Sequence, residues 1–172
     1  QTDIRITVKA ATEAEADAMI APVEAEIRQR LGVFIYGVDT ESLEEVVARL
    51  LRQQGKTLAI IESNTAGALT QWLRATGDAA VLAAALVTPD LVSLRGALPD
   101  IPADSAWPSA ELASAAAQAF QRRVGADYTL AIIGTMEAHE TLYSGERGES
   151  YLALVHVGGQ LTRHFLLGGA GE

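Results

Sequence analysis

Cysteine is absent from the 172-residue sequence, and lysine occurs only at Lys9 and Lys56. Without cysteine the chain forms no disulfide, has no thiol nucleophile and binds no metal through thiolates, which fits a cytoplasmic protein. Basic residues are also outnumbered, with 22 Asp and Glu against 13 Lys and Arg and a net charge of −9. Because nucleic acids and anionic membranes attract basic surfaces, we expect neither as a partner.

Long apolar runs are missing as well. None approaches the roughly 20 residues of a membrane-spanning helix, and no signal peptide opens the chain. The first residue is Gln1, followed at once by a strand-like pattern, so we expect a fragment of a longer protein. The length and the 49% hydrophobic content suit one globular domain, or one domain plus a fragment.

Strand and helix patterns alternate along the sequence. Residues 3–10 and 33–37 read as strands on either side of a helix over 12–31, which makes residues 1–37 a strand-helix-strand fragment. Beyond it, helices are predicted over 39–54 and 109–124, and strands over 57–63, 83–89, 128–134, 149–157 and 160–167. This order predicts a three-layer α/β/α sandwich with a mixed, mainly parallel sheet over residues 38–172.

The stretch TLAIIESNTAGALTQWL, residues 57–73, is the most informative part of the chain. An apolar strand ends in a polar turn at Ser63, and a helix follows in which Trp72 is expected to pack into the core. Open α/β sheets bind ligands at the carboxyl ends of their strands, where free N–H groups of a helix can face an anion. Ser63 is therefore either a nucleophile at such a site or a helix-capping residue.

Several motifs in this region resemble the competence/damage-inducible CinA family. They are Leu31-Gly32, Ile35-Tyr36-Gly37, Asp39, Ser42 to Val47 and Thr57 to Gly67, in the order and at the distances expected for that family. The resemblance implies the end of a KH-like linking domain over residues 1–37 and a C-terminal domain over 38–172. Family members usually continue with a C-terminal helix. We expect this sequence to lack that helix.

The resemblance also implies a chemistry. C-terminal domains of this family are similar to deamidases that hydrolyse the amide of nicotinamide mononucleotide and release ammonia. Their nucleophilic serine maps onto Ser63, and the resemblance implies a substrate site whose residues are Asn64, Thr65, Gly67, Gly134 and Thr135. No cofactor is implied. A pyridine nucleotide, held weakly, and further copies of the chain are the expected partners.

Other family residues are missing. The tyrosine and lysine that activate the serine have no counterpart in ALVTPDLVSLRGAL, residues 85–98, and a second glycine of the turn is Ala66. Lys56 precedes the strand that ends at Ser63, so seven residues of about 3.3 Å each put it roughly 23 Å away. A serine without a base is a poor nucleophile at neutral pH.

Two hypotheses follow from these departures. The first is a catalytically degenerate domain with a structural or regulatory role, whose pocket holds a nucleotide-like anion at most weakly. For it we expect a shallow or partly filled cleft beside Ser63, acidic at its rim, with no bound nucleotide. The second is an active amide hydrolase with a rewired site, in which His139 is the base for Ser63 or another subunit supplies groups. His139 also fits a solvated acidic loop with an incidental histidine. His156 and His164 lack ligand spacing, so we expect no metal site.

Overall fold

The computed structural model describes residues 2–135 and 148–167 of the chain. The chain divides into two compact units, Gln1–Leu43 and Glu44–Glu172, which are treated separately below. Within the described residues, no helix is long and apolar enough to cross a membrane.

The N-terminal unit contains one long helix, α1, over Glu13–Leu31. Thr12 begins it as predicted, because its side chain accepts a hydrogen bond from the backbone N–H of Glu15. The two predicted flanking strands are wrong. Residues 3–10 form no strand, and residues 33–37 contain only the end of a short 3-10 turn, Gly32–Phe34. A strand needs a neighbour to bond its backbone, and the described part of this unit offers none.

The second unit alternates helices and strands. Its elements in order are α2 (Leu43–Gln53, which begins at the unit boundary), β1 (Leu58–Glu62), α3 (Ala68–Ala75), β2 (Leu82–Val87), α4 (Leu91–Ala97), α5 (Ala110–Val124), β3 (Tyr128–Gly134), β4 (Gly148–His156) and β5 (Gly159–Leu167). Every strand predicted for this unit is present, within a residue or two of its expected bounds. The α/β fold class is therefore confirmed.

The five strands form one mixed sheet in the order β2-β1-β3-β4-β5. β1 pairs in parallel with both β2 and β3, whereas β3–β4 and β4–β5 are antiparallel. The carboxyl ends of β1, β2 and β3 consequently meet at one edge of the sheet. This is the edge at which open α/β sheets place their ligand sites.

Separate apolar clusters lie on the two faces of the sheet. On one face, α4 and α5 pack against Ala59, Ile61, Ala131 and Ile133. On the other, Ala48 of α2 and Leu73 of α3 pack with Ile60 and Val81. Neighbouring strand residues point to opposite faces, which explains why Ile60 and Ile61 belong to different clusters. The strand residues in both clusters are almost fully buried.

Two details differ from the sequence interpretation. No helix was predicted between the strand over 83–89 and the helix over 109–124, but this Pro- and Asp-rich connection contains α4, which Asp90 caps by accepting a hydrogen bond from the Ser93 N–H at 2.7 Å. Trp72 is 55% exposed rather than packed in the core. Leu73 takes the inward position of α3 instead, and adjacent helix residues point about 100° apart.

Candidate functional site at the end of strand β1

Ser63 directly follows β1 at the carboxyl edge of the sheet, where the sequence analysis placed it. It is 7% exposed, and its backbone N–H donates to the carbonyl oxygen of Ile132 at 3.0 Å. α3 begins five residues later, at Ala68. Ser63 thus lies in a buried turn between β1 and α3, held against β3.

The hydroxyl of Ser63 is bonded to the backbone of β3. Its Oγ accepts a hydrogen bond from the Gly134 N–H at 2.9 Å. The carbonyl oxygens of Ile132 and Gly134 both lie 3.3 Å from Oγ, and the single hydroxyl proton can point to either. No side chain takes part in these bonds. The arrangement joins β1 to β3, and within residues 2–135 and 148–167 no side-chain base is hydrogen-bonded to the hydroxyl.

Glu62, which the sequence analysis passed over, is the most heavily bonded side chain of the turn. It is fully buried. One carboxylate oxygen accepts from Thr65 Oγ1 at 2.7 Å and the Leu69 N–H at 3.0 Å. The other accepts from the N–H of Thr70 at 2.9 Å and from its Oγ1 at 2.6 Å. The sequence did contain a signal for this role: Glu62 is a carboxylate at the end of an apolar strand, shortly before a helix.

These bonds make Glu62 the cap of α3. Gly67, at the N-cap position, has no side chain to bond the first N–H groups of the helix, so the carboxylate bonds two of them. Burial by itself raises the pKa of Glu62, but the hydrogen bonds from Thr70, Thr65 and the two backbone amides outweigh it and lower the pKa. The N-terminus of α3, a kind of site that binds ligand anions in other proteins, therefore binds a carboxylate of the protein itself.

The backbone of the turn is left-handed at two consecutive residues. Ala66 has φ 51° and Gly67 has φ 92°. Glycine adopts such angles freely, but the Cβ of alanine makes them unfavourable by roughly 1 kcal/mol. Ala66 thus keeps a conformation that suits glycine.

Asn64 lies against Gly134 and β4. Its Nδ2 donates to Ser150 Oγ at 2.5 Å, while its Oδ1 is buried with no hydrogen-bond partner among the described residues. A Cβ built on Gly134 would be 2.6 Å from Asn64 Nδ2 and 2.4 Å from the Glu149 carbonyl oxygen. Gly134 is therefore required for this close approach, because a real side chain there would force a neighbour to move.

The other residues of the predicted substrate set are also bonded within the protein. Thr65 donates to Glu62, and the N–H of Thr135 donates to the carbonyl oxygen of Glu149 at 3.0 Å. A Cβ on Gly67 would lie 3.4 Å from the Val87 side chain. The structure brings Ser63, Asn64, Thr65, Gly67, Gly134 and Thr135 to the same edge of the sheet. Whether any of them binds a substrate stays a prediction.

Lys56 lies at the amino end of β1, away from Ser63. Its Nζ is 2.7 Å from Asp127 Oδ1. Asp127 also accepts hydrogen bonds from the N–H and the hydroxyl of Thr57. The hydrogen bond with Asp127 raises the pKa of Lys56, and the same bond lowers the pKa of Asp127. Lys56 is thus a charged residue that clamps the amino ends of β1 and β3.

The segment after β2 supplies no base. Arg95, on α4, donates to the carbonyl oxygens of Pro102 and Ala103, at 3.3 and 2.5 Å, and so braces the loop that follows α4. Thr88, just past β2, has a buried hydroxyl without a hydrogen-bond partner among the described residues. Its backbone N–H donates to the carbonyl oxygen of Glu62 at 2.9 Å. The contacts of Arg95 and Thr88 therefore stabilise the fold.

The histidines do not gather at this edge in the described chain. His164 stacks on Tyr151 with ring centroids 4.3 Å apart, and its Nε2 lies 3.2 Å from a Glu149 oxygen. His156, at the far end of β4, is exposed. His139 lies outside the described residues, as does the rest of the loop expected to carry acidic groups. Residues 2–135 and 148–167 contain no group of three side chains that could hold a metal ion.

Comparison with known proteins gives a consistent result for both units. The family model for the KH domain of the damage-inducible protein CinA matches residues 1–37. The model for the CinA C-terminal domain matches residues 40–172. The second match alone covers more than half of the chain.

Individual relatives agree. A CinA-like protein of Thermosynechococcus vestitus is 38% identical over 135 residues, which cover 76% of this chain and 32% of the relative. One from Myxococcus xanthus is 36% identical over 138 residues, or 78% of this chain and 33% of the relative. The chain thus spans about a third of the length of the curated relatives that it matches.

Solved structures show the same fold. A competence-damaged protein (CinA) superfamily protein of Klebsiella pneumoniae superposes with a TM-score of 0.66 at 25% identity, covering 77% of this chain and 85% of that one. A superfamily member from Escherichia coli gives a TM-score of 0.63 at 22% identity, with coverage of 78% and 83%. At such identity the second comparison supports the fold alone.

Proposed function

This chain belongs to the CinA family, and we propose that its C-terminal domain is a catalytically degenerate relative of nicotinamide-nucleotide amidohydrolases. It retains the fold and the turn at Ser63 for a structural or regulatory role. The observation that carries the proposal is the bonding of Ser63, whose hydroxyl is bonded to the backbone of β3 and, among the described residues, to no base.

Nucleophilic attack requires that Ser63 give up its proton while Oγ approaches a substrate carbon. A general base within about 3 Å normally accepts that proton and contributes roughly 10²–10⁴-fold to the rate. Within the described part of the chain, the groups hydrogen-bonded to Oγ are one N–H and two carbonyls of the backbone. Oγ is buried and already accepts a hydrogen bond from Gly134. The occupied lone pair and the lack of a base among the residues that the structure describes both oppose catalysis.

The binding of a nucleotide is weakened by the same turn. The amides of Leu69 and Thr70, at the start of α3, are the groups that would bond a phosphate. Glu62 already bonds them, and its charge would repel a second anion. We therefore expect nicotinamide mononucleotide to bind more weakly than micromolar in isothermal titration.

Activity and stability of Ser63→Ala together test the proposal. Purified chain is incubated with nicotinamide mononucleotide, and ammonia release is compared with that of Ser63→Ala. Ser93→Ala, which changes an exposed serine, is the matched control. We expect equal background rates in all three proteins. We also expect Ser63→Ala alone to lose about 1–3 kcal/mol of stability, because it leaves the buried Gly134 N–H without an acceptor.

The opposite result would be robust ammonia release that persists in Ser93→Ala and disappears in Ser63→Ala. It would contradict the degenerate assignment. If His139→Ala then abolished the activity as well, the second hypothesis, a rewired amide hydrolase, would be correct. Tight binding of the nucleotide without turnover would instead indicate a sensor role for the pocket.

A further inference from the structure

The two faces of the β4–β5 hairpin are covered unequally. On one face, α5 packs over Ala153 and Val155, which are buried. The other face, which we call the open face, is formed by alternate residues of both strands: Leu152, Leu154, Leu161, Arg163 and Phe165. None of these five residues belongs to either apolar cluster of the second unit. The described part of the chain thus leaves an apolar surface accessible, with Leu161 and Phe165 both exposed.

A row of side chains across the sheet shows where its helical cover ends. Strand pairing aligns four residues on one face, in the order Ile60, Leu130, Leu154 and Leu161. Ile60 is 2% exposed beneath α2 and α3, whereas Leu161 on β5 is 47% exposed. The described helices therefore cover this face at β1, and their cover does not extend to β5.

The uncovered strip has the dimensions of a single helix. Strands lie about 4.8 Å apart, so β4 and β5 together are about 10 Å wide, and the nine residues of each extend about 30 Å. An α-helix is about 10 Å across, and about 20 residues span about 30 Å. A strand would bind at an edge of the sheet, where backbone groups are free, and not on a face of leucines. A helix with an apolar stripe is therefore the element that fits the open face.

Arg163 determines the charge that such a helix must carry. It is the one charged residue of the open face, and it lies between Leu161 and Phe165 on the same side of β5. Its Nη1 donates to the Thr162 carbonyl oxygen at 2.9 Å, and no carboxylate within residues 2–135 and 148–167 forms an ion pair with it. A docked helix would partly shield Arg163 from water, so an acidic residue opposite it is favoured and a basic one is repelled.

We propose that the open face binds an amphipathic helix of a partner protein, which has an apolar stripe at helical spacing and an acidic residue opposite Arg163. The bound helix would reach the turn at Ser63, because Phe165 pairs with Ser150, and Ser150 is bonded to the side chain of Asn64. The inference does not depend on whether Ser63 is catalytic.

Two designed peptides of about 20 residues test this proposal. Both have leucines at helical spacing, and one has a single glutamate beside the stripe where the other has a lysine. Fluorescence anisotropy of the labelled peptides measures their affinity for the purified chain. Since the chain has a net charge of −9, long-range attraction favours the lysine peptide. We nevertheless expect the glutamate peptide to bind at least about tenfold more tightly, because it can pair with Arg163.

Substitutions on the open face should change this binding. Arg163→Glu should reverse the preference between the peptides, whereas Arg122→Glu makes the same charge change at an exposed residue of α5 and should preserve it. Phe165→Asp should weaken binding of the glutamate peptide at least about tenfold, and Val157→Asp, in the exposed turn between β4 and β5, should not. Circular dichroism verifies that each variant is folded.

Three results would overturn the proposal. They are the failure of both peptides to bind, a peptide preference that stays the same in Arg163→Glu, and unchanged binding by folded Phe165→Asp. Self-association through the open face would also contradict it. In that case Phe165→Asp would make the chain monomeric, the wild type would exclude the peptides, and a second copy would be the occupant.

Discussion

Replacing Glu62 by glutamine would test the inference that a buried carboxylate caps α3. Glutamine has the same shape, so the substitution removes the charge and one acceptor without opening a cavity. In the native protein the two carboxylate oxygens accept hydrogen bonds from Thr65, Leu69 and Thr70, with two bonds at each oxygen. The glutamine oxygen can keep one pair of these bonds. Its NH₂ group takes the place of the other carboxylate oxygen and faces two hydrogen-bond donors, although it is itself a donor.

The free-energy change can be estimated from the bonds lost. A hydroxyl can rotate and accept from the new NH₂, but a backbone N–H of α3 cannot. Each hydrogen bond to a charged group contributes about 1.5–3 kcal/mol, and the helix dipole adds up to about 1 kcal/mol. The variant also avoids the free-energy cost of burying the carboxylate charge, and this offsets part of the loss. We expect Glu62→Gln to lower the free energy of unfolding by about 3 kcal/mol, or the melting temperature by roughly 10 °C.

The effect should depend on pH in a definite direction. The pKa of Glu62 is lowered in the folded chain from its ordinary value of 4.5. A lowered carboxyl pKa stabilises the protein fully above the unfolded pKa, and that contribution is lost as pH falls through the folded pKa. The stability difference between wild type and Glu62→Gln should therefore be constant above about pH 5 and shrink in acid.

Urea denaturation followed by circular dichroism at several pH values measures both quantities. Glu111→Gln is the matched control, since Glu111 is an exposed acid in the first turn of α5. It should change stability by less than about 1 kcal/mol. If Glu62→Gln were equally mild, or if its effect did not depend on pH, the capping role would be refuted.

Other substitutions make separate predictions. Ala66→Gly should stabilise the chain by about 0.5–1 kcal/mol in thermal unfolding, because glycine adopts a φ of 51° freely; a loss of stability would contradict the strain. Gly134→Ala should destabilise by several kcal/mol, because its Cβ would lie 2.4 Å from the Glu149 carbonyl oxygen; an unchanged melting temperature would show that the turn yields easily. Asp127→Asn should flatten the fall in stability below about pH 4, since the hydrogen bond from Lys56 lowers the pKa of Asp127.

The sequence predicted the elements whose local pattern and tertiary setting agree. β3 was found at its observed bounds, because an apolar run between Asp127 and Gly134 is long enough for a buried strand and too short for a helix. α5 was found equally well, since Ser109 begins it and Gly125 ends it. The position of Ser63 followed from the same strand-turn-helix pattern.

The failures have physical causes of their own. Residues 3–10 alternate like a strand, but alternation cannot supply the neighbouring strand that a ladder needs. Trp72 was predicted to be a core residue because it is hydrophobic. Hydrophobicity alone does not give the direction of a side chain, and Trp72 is exposed in the structure. The capping role of Glu62 depends on amides seven and eight residues away, which only the folded turn brings within bonding distance.

The Glu62 cap has a consequence for how this part of the chain opens. α3 has only eight residues, too few for a stable isolated helix in water. Its first amides are held by a side chain that belongs to β1, so α3 cannot form before β1 has been placed beside it. Amide hydrogen exchange at Leu69 and Thr70 should therefore occur together with that of the adjoining strand. The helix and the strand behave as one cooperative unit, joined by a single carboxylate.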